Sequence, residues 1–367
     1  MIAPMNEQQD WIDVGAADDF KRTPLREAKL GERLVAISYK DGKFGVISNV
    51  CNHVGGPLGK GILEGEFVVC PWHQYRFHRC SGEGEPGYEA DKVPGYGVKE
   101  ENGRLLVTSK PVSKRGHLPH EPHPLTRSTE KRAPGPLRVG GISTTAMDPK
   151  YPRFSTSEHL LGVALEHART ALGAETNLVR LNDLRFRNCE GYYSKAAKAC
   201  TWPCSITSMD KTDQLDQVYE MAVHWADILL VATPIRWGAA SSLYYKMVER
   251  MNCIQNQITI ANKVLIRNKV AAFIITGGQD GIQSVAGQMM MFFSEIGYLV
   301  PQFPFIAHSL GWEFEEMDRN VDLVENSEAL RKGARELVVR SAEMSKALLE
   351  REITRATIER GGRKASA

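Results

Sequence analysis

Two runs near the middle of the chain, Ile228–Thr233 (ILLVAT) and Val270–Thr276 (VAAFIIT), offer no polar face. An alternating strand can leave one side in water, but a continuous apolar run has to be covered on both sides. That requirement selects a parallel sheet with helices on each face. Further apolar runs at Leu137–Ile142, Asn177–Leu181 and Leu299–Phe305 alternate with longer helical stretches. Five strands with intervening helices predict a doubly wound α/β domain, whose ligand should sit beyond the C-terminal strand ends.

Before about Lys110 the pattern is different. LVAISYK and KFGVIS flank Asp41-Gly42, and Asn102-Gly103 lies between VKE and RLLVTS. Both dipeptides suit the positive-φ turns of β-hairpins, so this section reads as a small all-β domain. Gly and Pro crowd Gly82–Gly97, a composition for a loop that covers something and does not continue a sheet. From Pro111 to Pro136 the chain is polar and proline-rich, unable to bury enough surface to fold alone, and reads as a linker. His117, His120 and His123 would align along a polyproline helix there, but no acidic or thiol ligand joins them. The expected division is residues 1–110, a linker over 111–136, and an α/β domain over 137–357.

The 367 residues suffice for two or three domains, and 42% apolar with 25% charged residues is a globular profile. A net charge of +2 with no Lys/Arg block among aromatics gives no footprint for nucleic acid. No run is long and apolar enough for a membrane helix, and the first residues lack the pattern of a secretory signal. The expectation is a cytoplasmic protein. Seven scattered cysteines are an odd set for a disulfide framework, so each needs its own explanation.

Four residues supply one: Cys51 and His53, then Cys70 and His73, in the form C-x-H-x16-C-x2-H. Two thiolates and two imidazoles suit tetrahedral zinc. They equally suit an iron pair in which thiolates hold one iron and imidazoles leave the other more easily reduced. The residues around them, CNHVGGPLGKG and CPWHQYRF, resemble the Rieske ferredoxin family over about the first 110 residues. The resemblance implies a [2Fe-2S] cluster held by Cys51, His53, Cys70 and His73. Respiratory members of the family add a disulfide at positions that here are Gly56 and Trp72, so this sequence resembles the lower-potential, disulfide-free branch. Gln74 replaces the usual Gly after the second histidine, and His78 stands where Asp is common. Cys80 reads as a packed thiol outside the motif, and Pro94-Gly95-Tyr96 resembles the family's covering loop.

In the α/β part, Ser143, Ser155, Thr156 and Ser157 are small hydroxyl residues near a strand end and the start of a helix at His159–Ala171. Such residues offer N–H and O–H donors to a phosphate, and they also cap helices with no ligand present. VATPIRWGAASSLYYKMVERM, after the third parallel strand, and TGGQDG, after the fourth, resemble loops of NAD(P)H-dependent FMN reductases of the flavodoxin superfamily. The resemblance implies a flavodoxin-like fold, non-covalent FMN, hydride from NAD(P)H and a homo-oligomer through this domain. By position, Ser143, Ser155, Thr156 and Ser157 would meet the phosphate. Thr233, Pro234, Ile235, Arg236, Trp237 and Gly238 would run beside the ring, with Thr276, Gly277, Gly278, Gln279 and Asp280 on its other edge. Arg236 would steady an anionic reduced flavin or pair with surface carboxylates; both readings stand. Cys189, Cys200 and Cys204 fall where some relatives hold a second cluster, but three thiols are too few, and Cys253 reads as packing. Beyond Val321 a charged amphipathic stretch reads as one closing helix.

A flavin takes two electrons as hydride and an iron–sulfur cluster passes them singly, so the fusion reads as a relay from NAD(P)H through FMN and the cluster to an external electron acceptor. No side chain need act as a catalytic nucleophile. The alternatives are a flavin-dependent quinone, azo or nitro reductase with the Rieske domain as electron entry, and a fused ferredoxin–flavodoxin carrier that ignores NAD(P)H. A Rieske oxygenase would need a two-histidine, one-carboxylate site that the sequence does not supply.

Overall fold

Hairpin turns set the first part of the chain. In the computed structural model, which describes residues 10–117, 123–128, 132, 134–210, 212–277, 281–310 and 313–351, Asp41 and Gly42 have φ of 49° and 76°, and Asn102 and Gly103 have 51° and 73°. These are the two-residue turns whose twist matches that of paired strands. They close β3 (Arg33–Lys40) on β4 (Lys43–Ser48) and β9 (Val98–Glu101) on β10 (Arg104–Thr108). β1 (Trp11–Ala16) completes one sheet in the order β1-β10-β9; β2 (Leu25–Leu30) and β8 (Gly95–Tyr96) complete another, β2-β3-β4-β8. Phe20, Leu30, Val35, Ile37, Val46, Tyr96, Leu105 and Val107 form the core shared by the two sheets. A third sheet, β5 (Ile62–Glu64), β6 (Phe67–Val69) and β7 (Arg76–His78), carries the second motif loop.

β8 departs from the sequence expectation for Gly82–Gly97. Gly95 and Tyr96 pair with Ile47 and Val46, because Tyr96 has apolar surface to bury and a vacant sheet edge to bury it on.

The described residues fall into two compact units: residues 10–117 together with Gly191–Ala199, and His123–Glu190 together with the described residues from Cys200 onward. The proline-rich stretch is thus shared out. Val112 donates its N–H to Gly95 at 2.8 Å, and Lys92 and Gly116 exchange backbone bonds of 2.9 and 3.0 Å within the first unit. Leu125 is buried in the second unit, its carbonyl accepting from Trp202 and His224, each at 3.1 Å. His117 faces the Asp91 carboxylate at 3.6 Å and His123 accepts from the Leu125 N–H at 3.2 Å. His120 lies outside the described residues.

The second unit is a parallel sheet of β11 (Arg138–Ser143), β12 (Glu175–Arg180), β13 (Ile228–Pro234), β14 (Val270–Gly277) and β15 (Phe305–Ser309) in the order β12-β11-β13-β14-β15. This is the flavodoxin-like 2-1-3-4-5 arrangement. Every residue of β13 and β14 is buried, as their unbroken apolar runs demand. The helix Thr156–Ala171 lies close on β11: a Cβ at Gly141 would meet Leu165 at 2.8 Å. β15 starts later than its sequence suggests. Leu299 makes only an isolated bridge to Val270, since Pro301 and Pro304 have no N–H to give a ladder, and regular pairing begins at Phe305. The closing stretch is two helices, Phe314–Asn326 and Glu328–Arg351; Ser327 breaks it, and its hydroxyl accepts from the Leu330 N–H at 3.2 Å. Val324, Ala334, Leu337, Val338, Ala342 and Leu348 join the sheet's core, which is why the stretch folds back on the domain.

Candidate functional site

The two motif loops of the first unit close in the same way. Cys51 donates its N–H to Gly56 at 2.9 Å and accepts from Gly55 at 3.1 Å; Cys70 donates to Tyr75 at 2.8 Å and accepts from Gln74 at 3.0 Å. The residue four beyond each cysteine must therefore turn through positive φ. Gly55 does so at 82° and Gln74 at 61°. Gln74, the departure noted in the sequence, accepts a left-handed conformation that costs a non-glycine residue about 1 kcal/mol. The loop keeps its shape without glycine.

This closure brings the four motif residues together. His53 Nδ1 lies 2.9 Å from His73 Nδ1, with ring centroids 4.5 Å apart. The Cys51 and Cys70 thiols form a hydrogen-bonded pair, which drives Cys51 well above its ordinary pKa and lowers Cys70 to about 7; backbone N–H groups of Trp72 and His73 also favour the Cys70 thiolate. His73 is 2% exposed, and burial pushes its imidazole below the usual value. His53 stacks on Tyr75 at 4.7 Å and 10°. Two imidazole nitrogens facing each other beside two thiols are a donor set for metal. Gly56 keeps the space open, since a Cβ there would stand 2.7 Å from Cys70 Sγ. The residues fit a two-iron cluster with Cys51, Cys70, His53 and His73 as ligands. Bound there, a [2Fe-2S] cluster supplies one-electron exchange at a potential raised by its imidazole ligands.

Asn52, unremarked in the sequence, fixes the first loop. Its amide donates to Asp91 Oδ1 (2.7 Å), the Lys92 carbonyl (3.0 Å) and the Gly116 carbonyl (2.7 Å), while Arg115 donates to its Oδ1. Arg115 and Gly116 come from the stretch read as linker. The covering residues at this loop are Asp91 and Lys92, while Gly95 and Tyr96 are committed to β8.

In the second unit the expected phosphate residues gather where β11 ends and the helix Thr156–Ala171 begins. Thr145 Oγ1 lies 2.7 Å from Ser155 Oγ and 3.3 Å from Ser157 Oγ, and Thr156 Oγ1 lies 2.6 Å from Thr276 Oγ1. First-turn N–H groups have no carbonyl four residues back, so this hydroxyl nest presents donors and the helix's positive end together. The Ser143 hydroxyl instead donates to Glu158 Oε2 at 2.6 Å. Thr145 belongs to the hydroxyl-bearing stretch Ser143–Thr145 after β11, and here it, not Ser143, meets the serines of the helix start.

Beyond β13, Arg236 and Ala239 exchange backbone bonds of 2.8 and 3.0 Å around Trp237 (φ 50°) and Gly238 (φ 69°). This tight turn holds Trp237 90% exposed at its tip. Ile235 is buried and donates its N–H to Thr276 at 2.8 Å, and Gly277 leaves room for it, because a Cβ there would meet Ile235 at 2.8 Å. Pro234 ends β13, opposite Thr276. Thr233 is buried as a support, its hydroxyl accepting from the Ser241 N–H at 3.1 Å. Gly278, Gln279 and Asp280 lie outside the described residues. Burial and then the Arg153 charge depress the Arg236 guanidinium. A cavity of about 880 Å³ opens at Thr145 and Ser155 and is lined along the helix Thr156–Ala171 by His159, Gly162 and Glu166 as far as Arg331 and Arg335; Arg236–Gly238 and Thr276–Gly277 do not line it. Arg153, which lines this cavity together with Thr145 and Ser155, suits an anionic group there. The donor chemistry of the nest fits a phosphate such as that of FMN, which Ser155, Thr156 and Ser157 would hold. Bound FMN supplies hydride acceptance and the release of single electrons.

Cys253 is fully buried. No described helix is long and apolar enough to cross a membrane.

Comparison with known proteins matches both halves. The Rieske [2Fe-2S] domain family matches residues 10–97 and the NADPH-dependent FMN reductase family matches residues 150–312. The chain is 30% identical over 99 residues to the ferredoxin component of naphthalene 1,2-dioxygenase/salicylate 5-hydroxylase systems from a Ralstonia species, covering 27% of this chain and 95% of that protein. It is 35% identical over 86 residues to a human Rieske domain-containing protein, covering 22% of this chain and 54% of that protein. A solved structure of RosB with a bound 8-demethyl-8-formylriboflavin-5'-phosphate intermediate aligns over 60% of this chain and 82% of that one, at 22% identity and a TM-score of 0.47. Through residues 10–97 the chain belongs to the Rieske [2Fe-2S] family, and with the FMN reductase domain of residues 150–312 it is an electron-transfer oxidoreductase whose cofactors are an iron–sulfur cluster and FMN with NAD(P)H.

Proposed function

We propose that the chain relays electrons from NAD(P)H through FMN to its Rieske cluster and on to an external acceptor. One observation carries the reading: a domain of a hydride-accepting family and a one-electron centre occupy a single polypeptide. Nicotinamides give electrons in pairs and cannot reduce a one-electron centre efficiently, so a flavin between them converts the currency. The hydroxyl nest and the Arg153–Arg236 pair hold the flavin's phosphate and negative charge; Cys51, His53, Cys70 and His73 hold the cluster. The reading includes a cytoplasmic homo-oligomer formed through the flavodoxin-like unit, with the exposed Trp237 turn as part of its contact surface.

Anaerobic mixing of the loaded protein with NADH or NADPH tests this. Flavin absorbance should bleach first and a Rieske-type electron paramagnetic resonance signal should follow. If neither nicotinamide bleaches the flavin while dithionite reduces both centres, the protein is a carrier and not an NAD(P)H-dependent enzyme.

A further inference from the structure

One segment of the first unit comes from far away in sequence. Gly191–Ala199 leaves the second unit's chain after Glu190 and re-enters it at Cys200, yet packs with residues 10–117. It lands on His73. The Ala199 carbonyl accepts from His73 Nε2 at 2.5 Å, and the Tyr192 ring meets the imidazole edge-on at 5.0 Å and 89°. Lys195 Nζ donates to the Pro71 carbonyl at 2.5 Å, and Lys198 Nζ sits 6.0 Å from the centroid of the Trp72 ring. Tyr192 is itself 5% exposed and Ala199 fully buried. The segment therefore grips the second motif loop at three consecutive residues, Pro71, Trp72 and His73.

A carbonyl can only accept, so it assigns the proton to Nε2 and leaves the Nδ1 lone pair facing His53 and the two thiols. That is the tautomer a metal needs. A donor bond from the outer nitrogen makes the inner one a stronger ligand and favours the more positive oxidised state of a bound cluster, and exclusion of water acts in the same direction.

We propose that Gly191–Ala199 is a redox-tuning strap: it fixes His73 as an Nδ1 ligand, lowers the cluster's potential, and closes that histidine edge to water and to protein partners. Tyr192 and Lys195 are positioning residues acting through His73. The idea rests on the Rieske reading, and two measurements keep their failures apart. In the full-length loaded protein, Tyr192→Ala should raise the reduction potential, whereas Tyr192→Phe, which keeps the ring, should leave it at the wild-type value. Diethyl pyrocarbonate, which acylates accessible imidazole nitrogens, should label His73 in Tyr192→Ala and in Lys195→Met but not in wild type, as read by peptide mass spectrometry. Labelling needs no iron, so it tests the strap even where a variant loads poorly. Wild-type protein without iron or a Rieske signal would sink the cluster reading. Wild-type His73 labelled as readily as in the variants, or an unmoved potential in Tyr192→Ala, would overturn the strap.

Discussion

Gly56 shows how one residue decides whether the centre can form. Its missing side chain is the space beside Cys70 Sγ, and even a methyl group would stand 2.7 Å from that sulfur, closer than any relaxed contact. Gly56→Ala should therefore fold, because Gly56 enters the loop's hydrogen bonding through its backbone carbonyl, which accepts from the Cys51 N–H, but should load little iron and show no Rieske signal. Iron content of the wild-type order in this variant would show that the loop has slack. The same position bears on the potential. With Gly56 and Trp72 where respiratory relatives place a disulfide, the cluster should sit at the low end of the Rieske range, about −150 mV. A redox titration giving a value well above zero would contradict that.

Elements explain which parts of the site could be read in advance. The Cys–His motif that marks the Rieske family is legible because metal binding fixes both residue type and spacing, and the buried strands are legible because runs such as ILLVAT admit few environments. Asn52 and Gly191–Ala199 are not, since their contacts depend on partners distant in sequence, and β15 begins later than its apolar run because Pro301 and Pro304 cannot join a ladder. If the Thr145 hydroxyl belongs to a phosphate nest, Thr145→Val should weaken FMN binding about tenfold, the loss of one hydrogen bond to a charged group; an unchanged dissociation constant would remove it from the site. The helix Ser242–Arg250 carries a different kind of constraint. Arg250 and Asp213 have fully buried side chains and make paired bonds of 2.9 and 3.0 Å. Burial alone would raise the Asp213 carboxyl, but hydrogen bonds from Arg250 and its charge outweigh that and hold it below the ordinary value. A carboxyl with a depressed pKa contributes stability that is present above about pH 4 and lost as pH falls through its folded value. Arg250→Met leaves the carboxylate buried and unpaired, costing about 3–5 kcal/mol near neutrality, and reverses the trend, so the variant should gain stability as the pH is lowered toward 5. Thermal unfolding across that range, with wild type flat and the variant rising, checks the sign.

At the scale of the whole molecule the question is whether two centres on one chain act in series. The two units have separate cores, one between the small antiparallel sheets and one around the parallel sheet, so damage at the cluster ligands should leave the flavin unit folded. His53→Ala removes one of the two converging imidazoles and should abolish the cluster. In a relay, that variant still bleaches its flavin with NAD(P)H at close to the wild-type rate, yet reduces a one-electron acceptor such as cytochrome c or ferricyanide far more slowly, because the step from paired to single electrons has lost its outlet. A quinone, azo or nitro compound reduced directly at the flavin would be turned over by His53→Ala as well as by wild type, which would favour the reductase reading and leave the cluster as an entry port. Loss of hydride uptake itself in a variant that retains FMN would mean that the Rieske unit helps build the flavin site, and independent action of the two units would have to be given up.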